Sequence, residues 1–77
     1  MPSAYPPPDW ILIRRLALGA RIRAVRQEAR MTQETVALNA GLDRPSLVKI
    51  EAGKQSPSAD TLFRIAEALG VSVRDLF

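Results

Sequence analysis

The chain has 77 residues, 47% of them hydrophobic, which is enough for one folded domain with a single small core. It contains no cysteine and no histidine, which excludes disulfides, zinc ribbons, thiol nucleophiles and imidazole acid–base chemistry. The net charge of +3 and the pI of about 10.2 favour polyanionic partners. The eight acidic residues are scattered among basic ones, so the sequence predicts no enzyme and no cofactor or metal site.

The first 17 residues are expected to form a proline-rich leader and an amphipathic arm, ahead of a domain over residues 18–77. Three prolines at residues 6–8 are typical of extended, polyproline-like chain. The apolar run at residues 10–13 is stopped by Arg14 and Arg15, and it is too short for a membrane span or a signal peptide. We therefore expect a cytoplasmic protein without a membrane partner.

Helical character begins after Asp9, which is expected to cap a helix starting at Trp10, and continues to about Arg30. Gly19 is a weak point in this stretch. The sequence therefore predicts either one long helix or a short arm helix over residues 10–18 followed by a domain helix over residues 18–29. The domain part of this stretch has one apolar face at helical spacing, formed by Leu18, Ile22, Val25 and Ala29.

The next two helices are bounded by clear start and stop signals. Thr32 is the expected cap of a helix over residues 33–40, which Gly41 ends because glycine accepts the left-handed conformation of a helix exit. Asp43 is the expected cap of a third helix, which runs to about Ala52 and is followed by Gly53.

The remaining chain predicts two more helices. Ser58 is the expected cap of a fourth helix, whose apolar residues recur at helical spacing up to residue 69. Residues 72–75 resemble a capping box that opens a last short helix ending at Phe77. No window alternates as a strand does, so the predicted fold class is all-α: a compact five-helix bundle, with a sixth helix if the arm folds separately.

The second and third helices, joined by a short turn containing glycine, are typical of a helix-turn-helix. Ala37 is small enough to let the next helix approach closely, and Leu47 and Ile50 lie on the face that turns toward the core. The opposite face of the third helix has positive charge and little apolar surface, as a helix that reads the major groove requires. That face carries Arg44, Pro45, Val48, Lys49 and Ala52.

Residues 18–77 resemble the phage-repressor-like helix-turn-helix family, also called XRE or Cro-like. The matching elements are Arg26, Thr32-Gln33, Ala37, Gly41, Ile50-Glu51, Gly53, the run over residues 57–69, and Val71-Ser72. The resemblance implies a DNA-binding protein, and it implies that Gln33 contacts the DNA backbone or a nearby base. It also implies that Arg44 reads base edges, for which its bidentate guanidinium suits guanine.

Three further contact positions follow from the same resemblance. Ser46 and Lys49 occupy contact positions on the third helix, and Lys54 lies where phosphate contacts are expected. Pro45 departs from the family pattern, because many relatives have a polar reading residue there and proline cannot donate a hydrogen bond to a base. Proline is chemically allowed in the first turn of a helix, where it can touch a thymine methyl or stiffen the helix start.

Arg26 and Glu51 are expected to form a structural ion pair. Each lies at the edge of an apolar stripe, four residues after Ile22 and Leu47 respectively, and the resemblance implies that they meet. Glu51 would then be structural and not catalytic. A buried pair of this kind adds little net stability, but removal of one partner is costly.

The most favoured function is a sequence-specific transcriptional regulator that binds double-stranded DNA as a homodimer on an inverted repeat. Two alternatives stay open: an antitoxin or restriction–modification controller, and a protein-interaction module that keeps the fold without operator binding. The apolar side chains of the arm would pack on their own domain, contact a second subunit or protein partner, or lie on DNA. Those at the carboxyl end, including Leu76 and Phe77, would close the core or form part of a two-fold interface.

Overall fold

The computed structural model describes residues 5–77, which form four α-helices and one short 3₁₀ helix. The α-helices are α1 (Asp9–Glu28), α2 (Gln33–Ala40), α3 (Arg44–Glu51) and α4 (Ala59–Leu69), and the 3₁₀ helix spans Val73–Leu76. The prediction of an all-α fold is confirmed. Of the proline-rich leader, residues 1–4 lie outside the described part of the chain.

The prediction of five α-helices is wrong at the carboxyl end, where the fifth element is a single 3₁₀ turn. The capping box is present, since the Ser72 N–H donates to the Asp75 carboxylate over 3.0 Å. The Phe77 N–H then donates to the Arg74 carbonyl, which is an i→i+3 bond and tightens the turn. Four residues are too few for an α-helical hydrogen-bond ladder to develop.

The arm and the first domain helix form one continuous helix, α1, which runs through Gly19. Asp9 does not cap it, because Asp9 is its first helical residue and Pro8 precedes it without a side-chain cap. The Pro8 carbonyl accepts the first hydrogen bonds, from the N–H groups of Ile11 and Leu12. The expected boundary between residues 17 and 18 thus lies inside α1, and the division into arm and domain stays a prediction.

Gly19 is a packing position between α1 and α3. It is buried, and a methyl group at this position would lie 2.6 Å from the Glu51 carbonyl oxygen and even closer to that of Ile50. The absence of a side chain at Gly19 therefore lets the backbone of α1 approach the end of α3.

One hydrophobic core joins all five elements. Its largest members, with at most 1% of their surface exposed, are Ile22, Val36, Leu47, Ile50, Ile65 and Leu76. Leu76 brings the 3₁₀ helix into this core, whereas its neighbour Phe77 remains 75% exposed. Of the two uses considered for the carboxyl end, core closure therefore applies to Leu76. No helix within residues 5–77 is both long enough and apolar enough to span a membrane.

All four α-helices end in the same hydrogen-bonded turn, in which the residue at the exit adopts positive φ. Gly41, Gly53 and Gly70 occupy this position in α2, α3 and α4, with φ between 71° and 74°. In α1 the position is held by Arg30, with φ of 58°, and the next N–H, that of Met31, donates to the Arg26 carbonyl.

Candidate nucleic-acid interface

The caps of α2 and α3 fix the geometry of the helix-turn-helix. The Thr32 side chain accepts a hydrogen bond from the Thr35 N–H at 3.0 Å, and Asp43 accepts one from the Ser46 N–H at 2.7 Å. Between them Gly41 turns the chain, and its N–H and that of Leu42 close the end of α2. The turn is therefore held by local bonds on both sides.

The third helix divides cleanly into a core face and a solvent face. Leu47 and Ile50 are buried, as the sequence predicts. On the solvent side all five residues of the face expected to read DNA are exposed, and Val48 has 40% of its surface exposed. The exposed set is Arg44, Pro45, Val48, Lys49 and Ala52, while Ser46 is half-buried.

Asp43 is a negative charge at the start of this cationic helix. Hydrogen bonds from the Ser46 side chain and backbone N–H, with a further contribution from the positive charge of Lys49, hold the pKa of Asp43 below its ordinary value. The carboxylate therefore stays ionised and keeps its capping role throughout the neutral and mildly acidic range. It also holds Ser46 in the cap. Arg44 and Lys49 are the two cationic side chains of α3.

A buried carboxylate, Glu51, ties the three helices around the candidate interface together. Arg26 of α1 donates to it from Nε over 2.7 Å and from Nη2 over 3.0 Å, a bidentate pair in which both side chains are largely buried. Arg26 also donates from Nη1 to the Met31 carbonyl at 2.9 Å. The expected partners Arg26 and Glu51 therefore meet in the structure, and their contact fixes α3 against α1.

Gln33, the first residue of α2, is the third donor to this carboxylate. Its Nε2 lies 3.1 Å from Oε1 of Glu51, so the side chain is held at the edge of α3. Gln33, which is expected to contact DNA, is thus positioned by the same carboxylate that anchors α3. This link joins residues 18 positions apart, and no local sequence signal announces it.

A shallow depression of about 300 Å³ lies between α1, the start of α2 and the second half of α3. Its lining includes Gln33, Val48 and Ala52, together with Arg23 of α1. The sequence analysis did not include Arg23 among the candidate contact residues. Its spacing of three residues before Arg26 puts both on one side of α1, and that spacing is the signal that would have identified it.

Lys54 lies just beyond α3, in the loop toward α4. Its side chain is exposed, and its backbone N–H donates to the Lys49 carbonyl at 2.9 Å, which fixes the loop. Of the six expected contact residues, Arg44, Pro45, Lys49 and Lys54 are exposed and Gln33 and Ser46 are half-buried. Their roles toward DNA stay predictions. Within residues 5–77 there is no group of three or more acidic side chains arranged to hold a metal ion.

Comparison with known proteins agrees with this geometry. Residues 22–76 match the helix-turn-helix family HTH_3, and the chain belongs to that family. It is 41% identical over 58 residues to an immunity repressor protein of Bacillus phage phi105, covering 75% of this chain and 40% of the repressor. It is 36% identical over 63 residues to the control protein C.BamHI of Bacillus amyloliquefaciens, covering 80% of this chain and 78% of that protein.

Two solved structures show the same fold. The restriction-modification controller protein C.AhdI of Aeromonas hydrophila superposes with a TM-score of 0.83 at 32% identity, over 84% of this chain and 98% of that one. The clp gene regulator ClgR of Corynebacterium glutamicum superposes with a TM-score of 0.78 at 32% identity, over 80% of each chain. The match to the phage repressor, by contrast, spans less than half of that protein's length.

Proposed function

We propose that the protein is a DNA-binding transcriptional regulator that reads an operator with α3 in the major groove, as a homodimer on an inverted repeat. The observation that carries this proposal is the arrangement around α3. Its solvent face presents Arg44 and Lys49, and the Glu51 carboxylate holds Gln33 beside that face. The relatives named as repressors, controllers and gene regulators support the same reading.

The residues divide by the kind of contact they offer. Lys54 and Gln33 lie at the ends of the helix-turn-helix, where contacts to phosphates set the register on the duplex. Arg44, in the first turn of α3, is suited to bidentate bonds with guanine, and Lys49 lies farther along the same solvent side. Pro45 and Val48 add apolar surface suited to thymine methyl groups. A regulator of this kind acts where the chromosome is, in the cytoplasm.

A restriction–modification controller is a second candidate, favoured by the similarity to C.BamHI and C.AhdI. A controller or an antitoxin would bind DNA in the same way and would differ in the genes beside its operator. If the protein is instead a protein-interaction module, it should have a stoichiometric protein partner that competes with DNA. A pull-down in the presence and absence of operator DNA separates it from the other two.

Selection of bound sites from a random double-stranded DNA pool tests the proposal directly. We expect an enriched inverted repeat, with half-site centres one helical turn apart, ~34–36 Å. Affinity for the winning site should fall steeply with salt, since log affinity drops ~0.9 per neutralised phosphate for each decade of salt. A flat selection with weak, sequence-independent binding would contradict the proposal.

Single substitutions of Arg44 and Lys54 separate base reading from phosphate contact. Arg44→Ala should cost about 1–3 kcal/mol on the selected site and relax preference at one base pair, because a bidentate guanine contact is lost. Lys54→Ala should weaken binding to all sequences alike and lower the salt slope by about 1. Exposed Lys and Arg changes of this kind leave the core intact, so thermal unfolding serves as the control for folding. Equal loss of preference in both variants would contradict the assignment.

Pro45 provides the most specific test of direct readout. It is exposed in the first turn of α3, and a glutamine there would add a side chain able to bond bidentately with adenine. Pro45→Gln should therefore change which sequence is preferred, measured by repeating the site selection with the variant. An unchanged preference would mean that position 45 does not reach the bases.

A further inference from the structure

The first helix has a second apolar stripe on the side away from the core. Residues 10, 13, 17, 20 and 24 follow one another at alternating intervals of three and four, which is the spacing of a coiled-coil seam. They are Trp10, Ile13, Ala17, Ala20 and Ala24, and every one is exposed. The core face of α1 uses other positions, among them Leu18, Ile22 and Val25.

The large and small side chains of this stripe are segregated along α1. Trp10 and Ile13, each 64% exposed, lie at the amino-terminal end, and the three alanines follow. When two such helices pair antiparallel about a two-fold axis, the large end of each faces the small end of the other. In this pair Trp10 packs against Ala20 of the second copy, and Ile13 packs against Ala17 of the second copy. Between residues 10 and 20 the stripe is therefore its own complement.

The apolar surface at this end of the molecule is large enough for a dimer of this kind. Leu16, which is 55% exposed, flanks the seam beside Trp10 and Ile13. Pairing two copies of these three side chains and the alanines would bury on the order of 1,000 Å² in total, the lower bound for a specific interface. A single chain that leaves two large apolar side chains 64% exposed on one helix face has an unpaired contact surface.

We propose that this stripe is the homodimer interface and that a second copy of the chain is its occupant, with the two α1 helices antiparallel. The inference rests on the proposed function in that it names the surface through which the DNA-binding dimer forms. Arg14 lies on one flank of the seam, and the pairing brings it toward its own copy at the two-fold axis.

Sedimentation equilibrium of the full chain tests the interface with two matched pairs of variants. Ile13→Gln and Ala20→Gln change an exposed large aliphatic residue and an exposed alanine of the stripe. Leu38→Gln and Ala59→Gln change an exposed large aliphatic residue on α2 and an exposed alanine on α4. The stripe variants should raise the dimer dissociation constant at least about tenfold, and the controls should leave it unchanged. Circular dichroism checks that all four variants keep the helical content of the parent.

Trp10 is the one tryptophan of the chain, so its fluorescence reports on the stripe itself. On dilution its emission should shift to the red with the same midpoint as dissociation, because the indole passes from an apolar contact into water. Dimerisation with unchanged Trp10 emission, equal effects of stripe and control variants, or a monomer at every concentration would each overturn the proposal. The site selection reports on operator reading separately, so the interface can be wrong while the function stands.

Discussion

Glu51 is the residue at which α1, α2 and α3 converge, and its burial sets the cost of changing any of its partners. Its side chain is 3% exposed and that of Arg26 is 11% exposed, so neither charge is well solvated when the other is removed. Glu51→Ala should therefore destabilise the fold by ~3–5 kcal/mol. The measurement is the free energy of unfolding from urea titration.

A double-mutant cycle separates the interaction from the cost of burying a lone charge. Replacing both partners with apolar residues, Arg26→Met with Glu51→Leu, should cost much less than the sum of the two single changes, because no unpaired charge remains. Additive effects across the cycle would contradict the coupling of the pair. Gln33→Ala provides a milder comparison, since it removes one neutral donor and leaves the ion pair in place.

Arg30 is the exception among the four helix exits, because its side chain stands where the other three have glycine. A left-handed conformation costs an ordinary residue roughly 1–2 kcal/mol and costs glycine little of this. Arg30→Gly should therefore stabilise the fold by about 1 kcal/mol, or raise the melting temperature by about 4–8 °C for a domain of this size.

The control for this change is Arg30→Ala, which removes the same charge and keeps the strained conformation. It should bring no comparable gain in thermal unfolding, because alanine also has a Cβ. An equal gain in both variants would assign the effect to the lost charge.

At the scale of the elements, the packing of α1 on α3 depends on the missing side chain at Gly19. At an exposed position inside a helix, alanine makes the folded protein more stable than glycine does, by roughly 0.5–1 kcal/mol. At Gly19 the sign should reverse, because the methyl group would overlap the carbonyl oxygens of Ile50 and Glu51. Gly19→Ala should therefore destabilise by about 1–3 kcal/mol, the usual cost of overpacking, as measured by urea unfolding.

Gln27, exposed on α1, supplies the matched control. There the alanine variant should be more stable than the glycine variant, as helix propensity alone requires. A stabilising Gly19→Ala change would show that α1 and α3 separate easily, and it would remove the structural reason for glycine at this position.

The boundaries of α2, α3 and α4 could be read from the sequence because their signals are local. Thr32, Asp43 and Ser58 cap their helices as predicted. Glycine ends α2 and α3 as predicted, and it also ends α4. What the sequence did not reveal depends on contacts across the fold. Gly19 reads as a helix break until α3 is placed against it, and Arg30 carries no stop signal although its backbone turns as glycine would.

Some features of the candidate site could likewise be predicted from the sequence, and others could not. The exposed face of α3 follows from helical periodicity and was predicted, whereas two features of its surroundings were not. The hydrogen bond from Gln33 to Glu51 and the position of Arg23 beside that pair exist only when three helices meet. Spacing along one helix cannot give the distance between two helices, so these features required the structure.

At the scale of the whole molecule, the common form of the four helix exits bears on how the chain folds. Each exit is closed by hydrogen bonds between residues three to five positions apart, so every helix can end at its native residue before the core assembles. Folds dominated by such near-neighbour contacts reach the native state in microseconds to milliseconds, on the order of a thousand times faster than many β-proteins. Side-chain links between distant helices, such as that from Arg26 to Glu51 across 25 positions, must wait for the helices to meet. We therefore expect local bonds to set the ends of α3, and tertiary packing to fix its orientation toward DNA last.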